Sequence, residues 1–378
     1  MKIAFVNEYY KPVIGGVNQV VEELSKLYLK DGHEVHVYCS DWDKNKRISR
    51  KKEIIDGVYV NRCFHWFRAG NFVTFFPSVF FKLLKKDFDI IHSHESGHPH
   101  VFFSALASFL KGVPHIHTTH CPWTDSFRSF FANIMKWPAY NIFMRLSYSM
   151  SKAVVAITPW ELPILSKYVS RSKIKVIPNG MSSIFFNKVK NNNFRKKIKS
   201  KKNLILFFGR LNVTKGPDKF VLAAKEILKE RKDVTFVIRG PDEGMKSKVR
   251  FLIGDEKNIV LMEPTTNKVE IAKMYQASDV FVLPSYREGL PLTIFEAMAS
   301  GLPIVASPVN GVPFEMKHNE NGLFVNYGNI QGLKKSILTL LKDKKLVSKM
   351  KKNNLEKAKN YRWEIIYKKY LNLYKKFY

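Results

Sequence analysis

Short apolar runs alternate with helix-length segments along the first half of the chain. Residues 2–6 predict a buried strand, residues 17–30 carry a helical pattern, and residues 36–39 predict the next strand. A strand–loop–helix–strand unit of about 40 residues is typical of the start of a doubly wound α/β fold. Further short apolar runs separated by helix-length segments predict more parallel strands, at Ile90-Ile91, His115–Thr118 and Ala153–Ile157.

This alternation stops near the middle of the chain and then begins again. Pro178-Asn179-Gly180 indicates a turn, and residues 181–202 are rich in Lys and Asn with few apolar positions, which predicts a basic linker. A second α/β series occupies residues 203–361, and the tail beyond it has a helical pattern. We therefore predict two Rossmann-like doubly wound domains, the first over residues 1–180, which face each other across a ligand-binding cleft.

The net charge of the chain indicates which classes of molecule it binds. The chain of 378 residues has 63 Lys and Arg against 32 Asp and Glu, a formal net charge of +31. Such an excess implies an anionic partner: nucleic acid, an acidic lipid surface or phosphorylated substrates. Three cysteines without a CxxC pair favour a reducing compartment. Because the N-terminus lacks a long apolar run and Val101–Leu110 is too short to span a bilayer, we expect neither a signal peptide nor a membrane-spanning helix.

The segment 284–307 contains two acids, Glu288 and Glu296, with seven residues between them. The first lies on a loop before Gly289-Leu290-Pro291, and the second lies inside the predicted helix that follows. The free N–H groups and partial positive charge of a helix N-terminus suit a diphosphate. Two acids beside such a group can hold the hydroxyls of a sugar and a ribose, so the segment predicts a nucleotide-sugar site.

Two glycine-containing loops follow predicted strands and are candidates for phosphate contacts. Gly209-Arg210 directly follows the first strand of the second half, and Lys215 lies five residues beyond the arginine. Because open α/β sheets bind ligands at strand carboxyl ends, these two cations are placed to clamp a diphosphate. Gly15-Gly16 lies in the first strand–helix loop, where glycine lets the backbone approach a phosphate or a sugar closely. Turn geometry alone also explains this pair.

Five segments in combination resemble the family 4 retaining glycosyltransferases of GT-B fold. They are Gly15-Gly16-Val17, GVPHIHTTH at 112–120, IPNG at 177–180, Gly209-Arg210-Leu211 with Lys215-Gly216, and EGLPLTIFEAMASGLPIVAS at 288–307. The resemblance covers nearly the whole chain. It implies a hexosyltransferase with an N-terminal acceptor-binding domain, a C-terminal nucleotide-sugar-binding domain, and a final helix at about 362–378 that packs back on the N-terminal domain.

The resemblance also implies residue roles. Arg210 and Lys215 would bind the donor diphosphate and stabilise the departing negative charge. Glu288 would lie at the donor sugar, Glu296 would accept hydrogen bonds from the ribose, and His120 would lie near the acceptor and the reacting carbon. The predicted catalytic residues are thus His120, Arg210, Lys215 and Glu288. The predicted donor-binding residues are Gly15, Gly16, Gly209, Arg210, Lys215, Glu288, Gly289, Leu290, Pro291 and Glu296.

A histidine cluster marks the other candidate site. His92, His94, His98 and His100 surround Glu95 in the sequence. Zinc accepts such ligands, but a strand-end loop favours acceptor binding or local hydrogen bonding, and we predict His94, Glu95 and His120 on the acceptor side. Asp41-Trp42-Asp43 resembles the Asp-x-Asp metal motif of another glycosyltransferase fold, and it follows a strand in the wrong half. We therefore expect no metal and no cofactor besides the nucleotide-sugar donor.

One loop departs from the family pattern. The family often has an acid directly after Gly-Ile/Val-Pro, whereas here Phe314 occupies that place and Glu315 comes one position late. The sequence therefore does not predict what the loop from Asn310 to Glu315 contacts. Asn310 is a candidate for altering donor preference.

Basic and aromatic residues interleave in two stretches of the N-terminal half, Arg62–Lys86 and Phe127–Tyr148. Helices that lie in a membrane interface have this composition, although ordinary helices packed on a core also share it. Together with the net charge, the stretches predict a cytoplasmic protein, peripheral on the inner face of the membrane, with a lipid or lipid-linked glycan acceptor.

Two other function classes remain alternatives. A nucleotide-sugar epimerase or a phosphorylase uses a similar two-domain arrangement. A nucleic-acid-binding protein explains the charge, but it leaves the Glu288–Glu296 segment without a purpose, and the chain has no recognisable nucleic-acid-binding motif. We therefore predict a retaining, metal-independent transfer from a UDP- or GDP-sugar, with no nucleic-acid partner.

Overall fold

The computed structural model describes residues 1–13, 15–69, 73–120 and 137–378. The chain divides into two compact units. The first comprises Met1–Asn179 together with Trp363–Tyr378, and the second comprises Gly180–Arg362. Within these described residues, no helix combines the length and the apolar character needed to cross a membrane.

The first unit is built on an eight-stranded sheet with a small separate hairpin. Along the sheet the strand order is β10-β9-β8-β7-β1-β2-β4-β3, and every neighbouring pair is parallel except β3 with β4. The hairpin pairs β5 with β6. The strands are β1 Lys2–Val6, β2 Glu34–Ser40, β3 Lys52–Ile55, β4 Val58–Cys63, β5 Phe67–Ala69, β6 Val73–Phe75, β7 Ile90–His94, β8 His115–Thr118, β9 Ala153–Ala156 and β10 Ile174–Val176.

Helices cover this sheet, and its central strands β1 and β7 are buried on both faces. In the first helix the buried Val20, Val21, Leu24 and Tyr28 recur at helical spacing and face the core. The α-helices described between Met1 and Asn179 are α1 Gly16–Lys30, α2 Ser78–Leu84, α3 Pro99–Lys111, α4 Arg145–Met150 and α5 Leu162–Leu165. Shorter elements are a π-helix at Ala139–Met144, which continues into α4, and 3-10 turns at Pro159–Glu161 and Arg171–Lys173.

The second unit has a six-stranded, fully parallel sheet in the order β13-β12-β11-β14-β15-β16. Its strands are β11 Asn203–Phe208, β12 Val234–Arg239, β13 Ile259–Met262, β14 Val280–Leu283, β15 Ile304–Ala306 and β16 Gly322–Phe324. Its α-helices are α6 Phe194–Lys197, α7 Pro217–Glu230, α8 Lys246–Ile253, α9 Lys268–Ala277, α10 Leu292–Ala299, α11 Val312–Glu315, α12 Ile330–Lys342 and α13 Lys344–Ala358. Its 3-10 turns are Ser183–Phe185, Val213–Lys215 and Lys359–Tyr361. Both sheets are those of doubly wound folds, which confirms the predicted fold class.

The last helix, α14 at Trp363–Tyr374, belongs to the first unit. The Tyr374 hydroxyl lies 2.5 Å from Nδ1 of His92, and the ring stacks on Tyr28. Nε2 of His92 lies 2.8 Å from the Thr118 hydroxyl. Nδ1 of His92 therefore holds the tail on the sheet and Nε2 contacts β8, which gives this histidine a structural role.

Residues 181–202, whose composition predicts a basic linker, lie within the second unit. Arg195 donates to the Ala277 carbonyl at 2.7 Å and pairs with Asp279 at 2.6 Å. Asn192 donates to the Lys273 carbonyl at 2.8 Å. Local composition alone predicts a solvated connection because these partners lie about 80 residues further along the chain.

In each sheet the chain changes direction at one position, and that position locates the ligand-binding edge. β1 lies between β2 and β7, and β11 lies between β12 and β14. Open α/β sheets bind ligands outside the carboxyl ends of the strands at such a switch point. The loops that follow β1 and β7 in the first unit, and β11 and β14 in the second, are therefore the places to look for function.

Candidate functional site

The loop after β11 is held tightly against its neighbours. A Cβ atom on Gly240 would lie 1.8 Å from the carbonyl oxygen of Gly209, so the two loops meet backbone to backbone. Arg210, which follows Gly209 in the loop, has a half-exposed side chain that pairs with Glu243 at 2.9 Å. Asn212 donates to the same carboxylate at 2.9 Å. The guanidinium is thus tethered at the strand end yet accessible to an anion.

The rest of this loop is fixed by an internal turn and by a close contact with β14. The Asn212 side-chain oxygen accepts from the Lys215 N–H at 3.1 Å and from the Thr214 hydroxyl at 2.8 Å. Gly216 has φ +67°, and a Cβ there would lie 2.3 Å from the Pro284 carbonyl oxygen. Only glycine fits both requirements, so the loop after β11 is locked to the end of β14.

Lys215 and Glu288 form the central ion pair of this edge. The lysine Nζ lies 2.7 Å and 2.6 Å from the two carboxylate oxygens. Their side chains are 15% and 3% exposed, and the Ser285 hydroxyl donates to the same carboxylate at 2.6 Å. A largely buried, charge-assisted contact of this kind fixes the ammonium group at the carboxyl ends of both strands.

Helix α10 begins at Leu292, directly after the Glu288 loop. Its N-cap residue, Pro291, supplies no side-chain hydrogen bond to the first turn. Leu290 is buried and anchors the approach to the helix. The first N–H groups of α10 therefore have no side-chain cap, and a helix end of this kind favours an anionic ligand.

Glu296 lies one turn into α10 and is almost completely buried. Burial raises the pKa of this carboxyl to about 7, and a hydrogen bond from Tyr275 only partly opposes that effect. Its Oε2 atom has no hydrogen-bond partner among the residues that the structure describes. A buried acid with an unsatisfied oxygen is a ready acceptor for a ligand hydroxyl.

In the loop from Asn310 to Glu315, Phe314 and Glu315 have different surroundings. Phe314, in the place where the family has an acid, is exposed. Glu315 is buried, accepts a hydrogen bond from the Tyr361 hydroxyl, and lies 3.6 Å from Lys357. The displaced acid is therefore committed to contacts within the second unit.

In the first unit, Gly15 and Gly16 lie at the start of α1. Gly15 is the N-cap, and no side chain caps this helix end. Both glycines are exposed, and a Cβ on Gly16 would meet no atom within 4 Å among the described residues. Packing in the described structure therefore does not require a glycine at position 16. The prediction that a ligand approaches the backbone closely at Gly16 stays a prediction.

His94, Glu95 and His120 lie together at the ends of β7 and β8. The Nδ1 atom of His94 lies 2.9 Å from Nε2 of His120, and Glu95 accepts from the backbone N–H of Glu8 at 2.9 Å. Burial lowers the pKa of His120 to about 3 and raises the pKa of Glu95. Glu95 and His120 also adopt positive φ angles of 70° and 55°, a conformation that functional sites often retain.

Comparison with known proteins finds two family models that match the chain, and both are models of glycosyltransferases. Residues 14–183 match the model of Glycosyltransferase Family 4, and residues 188–357 match that of Glycosyl transferases group 1. The Escherichia coli UDP-Gal:alpha-D-GlcNAc-diphosphoundecaprenol alpha-1,3-galactosyltransferase is 32% identical, over 74% of this chain and 73% of its own length. The chain belongs to glycosyltransferase family 4.

Two further relatives support the assignment. The N,N'-diacetylbacillosaminyl-diphospho-undecaprenol alpha-1,3-N-acetylgalactosaminyltransferase of Campylobacter jejuni is 33% identical, over 46% of this chain and 45% of its own length. The structure of Anabaena Alr3699/HepE in complex with UDP has a TM-score of 0.78 at 19% identity, and the match covers 99% of each chain. The predicted family, GT-B fold and glycosyltransferase activity are thus confirmed.

In this glycosyltransferase some predicted residues meet and others have separate partners. Lys215 contacts Glu288, and His94 contacts His120, whereas Arg210 pairs with Glu243. Sequence reasoning missed Ser285 and Glu243, which orient these charged groups. It also missed Glu8, which lies two residues after the end of β1, although the strand-end position was a signal that applied to it equally.

Proposed function

We propose that the protein transfers a hexosyl group, with retention of configuration and without a catalytic metal, from a UDP- or GDP-sugar to a lipid-linked acceptor. The observation that carries this proposal is the contact between Lys215 and Glu288 at the switch point of the second sheet. This contact brings together a cation and an acid whose loop directly precedes the N-terminus of α10, and we propose that the acid binds the donor sugar. The half-exposed Arg210 adds a second cation on the same strand end.

In this proposal the donor diphosphate binds to Lys215 and Arg210 and to the first N–H groups of α10. Glu288 holds Lys215 before the donor arrives, so the ammonium group already has a defined position when the phosphate replaces part of that contact. Glu296 accepts the ribose hydroxyls through its unsatisfied oxygen. The remaining predicted donor contacts are the backbone of Gly209, Gly289 and Leu290 and, in the first unit, Gly15 and Gly16.

The proposed reaction is a front-side substitution. The acceptor oxygen forms a bond to the anomeric carbon while the bond from that carbon to the donor phosphate oxygen breaks on the same face. The acceptor proton passes to the departing phosphate, so no protein base is required. Lys215 and Arg210 stabilise the charge that develops on the leaving diphosphate, which is commonly a large contribution to catalysis.

His120 is proposed on the acceptor side together with His94 and Glu95. Because its pKa is lowered to about 3, the imidazole is neutral at physiological pH and acts as a hydrogen-bonding group without a charge. The Escherichia coli and Campylobacter jejuni relatives are named for diphosphoundecaprenol-linked acceptors. We therefore propose a polyprenyl-diphosphate-linked sugar as the acceptor, with a membrane glycolipid as the wider class.

An exposed aromatic surface on the first unit supports a membrane location. Trp66 and Phe67 on the β5–β6 hairpin, Phe81 on α2, and Trp137 are each at least 60% exposed. Ring contacts continue inward through Phe75 to Phe103 at 5.7 Å and from Phe102 to Phe143 at 5.4 Å, while α3 packs against both α2 and α4. The exposed basic residues Arg68, Lys85 and Arg145 lie on the same elements.

This aromatic surface matches only part of the predicted interfacial stretches. Arg62, which belongs to the first stretch, is buried and pairs with Glu53 at 2.5 Å, so it contributes nothing to a surface charge. In the second stretch, residues 127–136 lie outside the described part of the chain. We propose that the remaining surface holds the enzyme peripherally on the anionic inner leaflet.

A thermal-shift panel of UDP-, GDP- and ADP-sugars tests the donor class. One nucleotide is expected to raise the melting temperature, because a ligand that binds only the folded state stabilises it. The Lys215→Ala variant should lose most of that shift. The absence of a shift with every nucleotide would contradict the proposed donor site.

A further inference from the structure

A cluster in the first unit is not used by the proposed donor chemistry. Glu8 follows β1, and His98 and His100 lie at the start of α3. Oε2 of Glu8 lies 2.9 Å from Nδ1 of His98 and 3.5 Å from Nδ1 of His100. The three potential ligand atoms all lie within 4.8 Å of one another.

The hydrogen bonds of His100 define which of its nitrogens carries the proton. Its Nε2 lies 2.9 Å from the carbonyl oxygen of His94, which can only accept, so Nε2 is the donor. In the neutral ring, Nδ1 then presents a lone pair towards the carboxylate of Glu8, which is also an acceptor. His100 is 1% exposed, and Nδ1 has no hydrogen-bond partner in the described ranges. A cation between the two acceptors would satisfy both.

Glu8 is oriented as a metal ligand needs to be. Its other oxygen accepts from the Thr74 N–H at 2.5 Å and from the Thr74 hydroxyl at 2.6 Å. Second partners of this kind, a carbonyl on the histidine and donors on the carboxylate, are typical of protein metal sites.

We propose that Glu8, His98 and His100 form a three-ligand site for a divalent transition metal such as Zn²⁺. Tetrahedral ligands at about 2.0–2.1 Å from zinc lie roughly 3.3 Å apart. The two measured separations from Glu8, 2.9 Å and 3.5 Å, bracket that value. The metal would tie the loop after β1 to the start of α3 and leave a fourth position for water or a ligand oxygen. This site uses only residues of the first unit, and none of them is a residue proposed to bind the donor diphosphate.

Metal binding to untagged, chelator-stripped protein tests the proposal directly. Titration with Zn²⁺ should show one tight equivalent, and Co²⁺ should give the visible absorption of a four-coordinate ion. His98→Ala should weaken binding by at least about 100-fold, since even outer partners of metal ligands are worth roughly 10- to 100-fold. His33→Ala, a histidine of the same unit outside the cluster, is the matched control and should bind as the wild type does.

Glu8→Gln is a second variant that tests the site even if His98→Ala fails to fold. Its amide can still accept from Thr74 and can donate to the histidine lone pair, so the variant should fold without metal. Zn²⁺ should raise the melting temperature of the wild type and leave that of Glu8→Gln unchanged. The proposal is overturned if the wild type takes up no stoichiometric metal, or if His98→Ala and Glu8→Gln bind as tightly as the wild type. A protonated His100 that donates to Glu8 would then account for the contact.

Discussion

Lys215 and Glu288 have opposite charges and meet in a largely buried contact, so each depends on the other for stability and the lysine also serves the proposed reaction. Lys215→Ala is expected to slow transfer by about 10²–10³-fold through the loss of charge stabilisation on the leaving group. It should also lower the free energy of unfolding by up to about 3 kcal/mol, because Glu288 is left without its ion-pair partner. Steady-state rates and urea unfolding measure the two effects.

A double variant separates these two roles of Lys215. Adding Glu288→Gln to Lys215→Ala removes the unpaired charge, so most of the stability should return while transfer stays slow. Lys225→Ala, an exposed lysine on the neighbouring helix α7, is the control for charge loss and should leave both quantities near the wild-type values. Normal turnover in Lys215→Ala would remove the lysine from the mechanism.

The raised pKa of Glu296 predicts a pH-dependent stability. The folded state binds the proton more tightly than the unfolded chain, so stability is greatest below pH 4.5 and falls as the pH rises towards 7. Glu296→Gln should therefore be more stable than the wild type at pH 8, by up to about 3 kcal/mol, and nearly equal to it at pH 4.5. Urea unfolding at both pH values tests this, with the exposed Glu364→Gln as a control. A difference independent of pH would contradict it.

At the scale of elements, the loop after β11 depends on one glycine. Gly216→Ala adds about 1–2 kcal/mol of backbone strain, and its Cβ would also collide with the Pro284 carbonyl. The variant should lose donor affinity as well as stability because the loop moves away from β14. Gly328→Ala has the same kind of positive φ, with no atom within 4 Å in the described structure, and should show the strain alone. Equal effects in both variants would argue against a locked loop.

Elements could be predicted from sequence better than the contacts between them. β1 and β11, which lie at the centres of the two sheets, are nearly continuous apolar runs, and their burial on both faces makes them recognisable without any partner. The strand-end rule also led to Arg210 and Lys215. Contacts such as Arg195 with Asp279, and Glu8 with His98, join residues about 80–90 positions apart, and local periodicity carries no information about them.

The histidines on β7 also show that local sequence patterns carry no information about long-range contacts. His92 and His94 are separated by one residue on β7 and belong to the same histidine cluster in the sequence, in which we predict only His94 on the acceptor side. In the structure, His92 holds the C-terminal helix through Tyr374, whereas His94 contacts His120. Only the long-range packing of α14 distinguishes the two, so no local pattern could assign their roles.

At the scale of the whole molecule, the net charge of +31 and the exposed aromatic surface predict attachment to anionic membranes. Combining Trp66→Ser, Phe67→Ser and Phe81→Ser should weaken vesicle binding by at least about tenfold, because burying one such side chain is worth about 1.5–3 kcal/mol. Phe251→Ser, an 85% exposed phenylalanine of the second unit, should bind normally. Flotation with vesicles of anionic and neutral lipid is the measurement. Equal flotation of all variants would exclude the aromatic surface.

The most direct test of the account is transfer itself, followed by the configuration of the product. Purified enzyme is mixed with an α-configured UDP- or GDP-sugar and vesicles that contain a polyprenyl-diphosphate-linked sugar, without added Mg²⁺ or Mn²⁺. We predict an elongated lipid-linked glycan whose new linkage is α by NMR. A β linkage, or release of the sugar to water alone with no lipid-linked product, would contradict a retaining transfer to a lipid-linked acceptor.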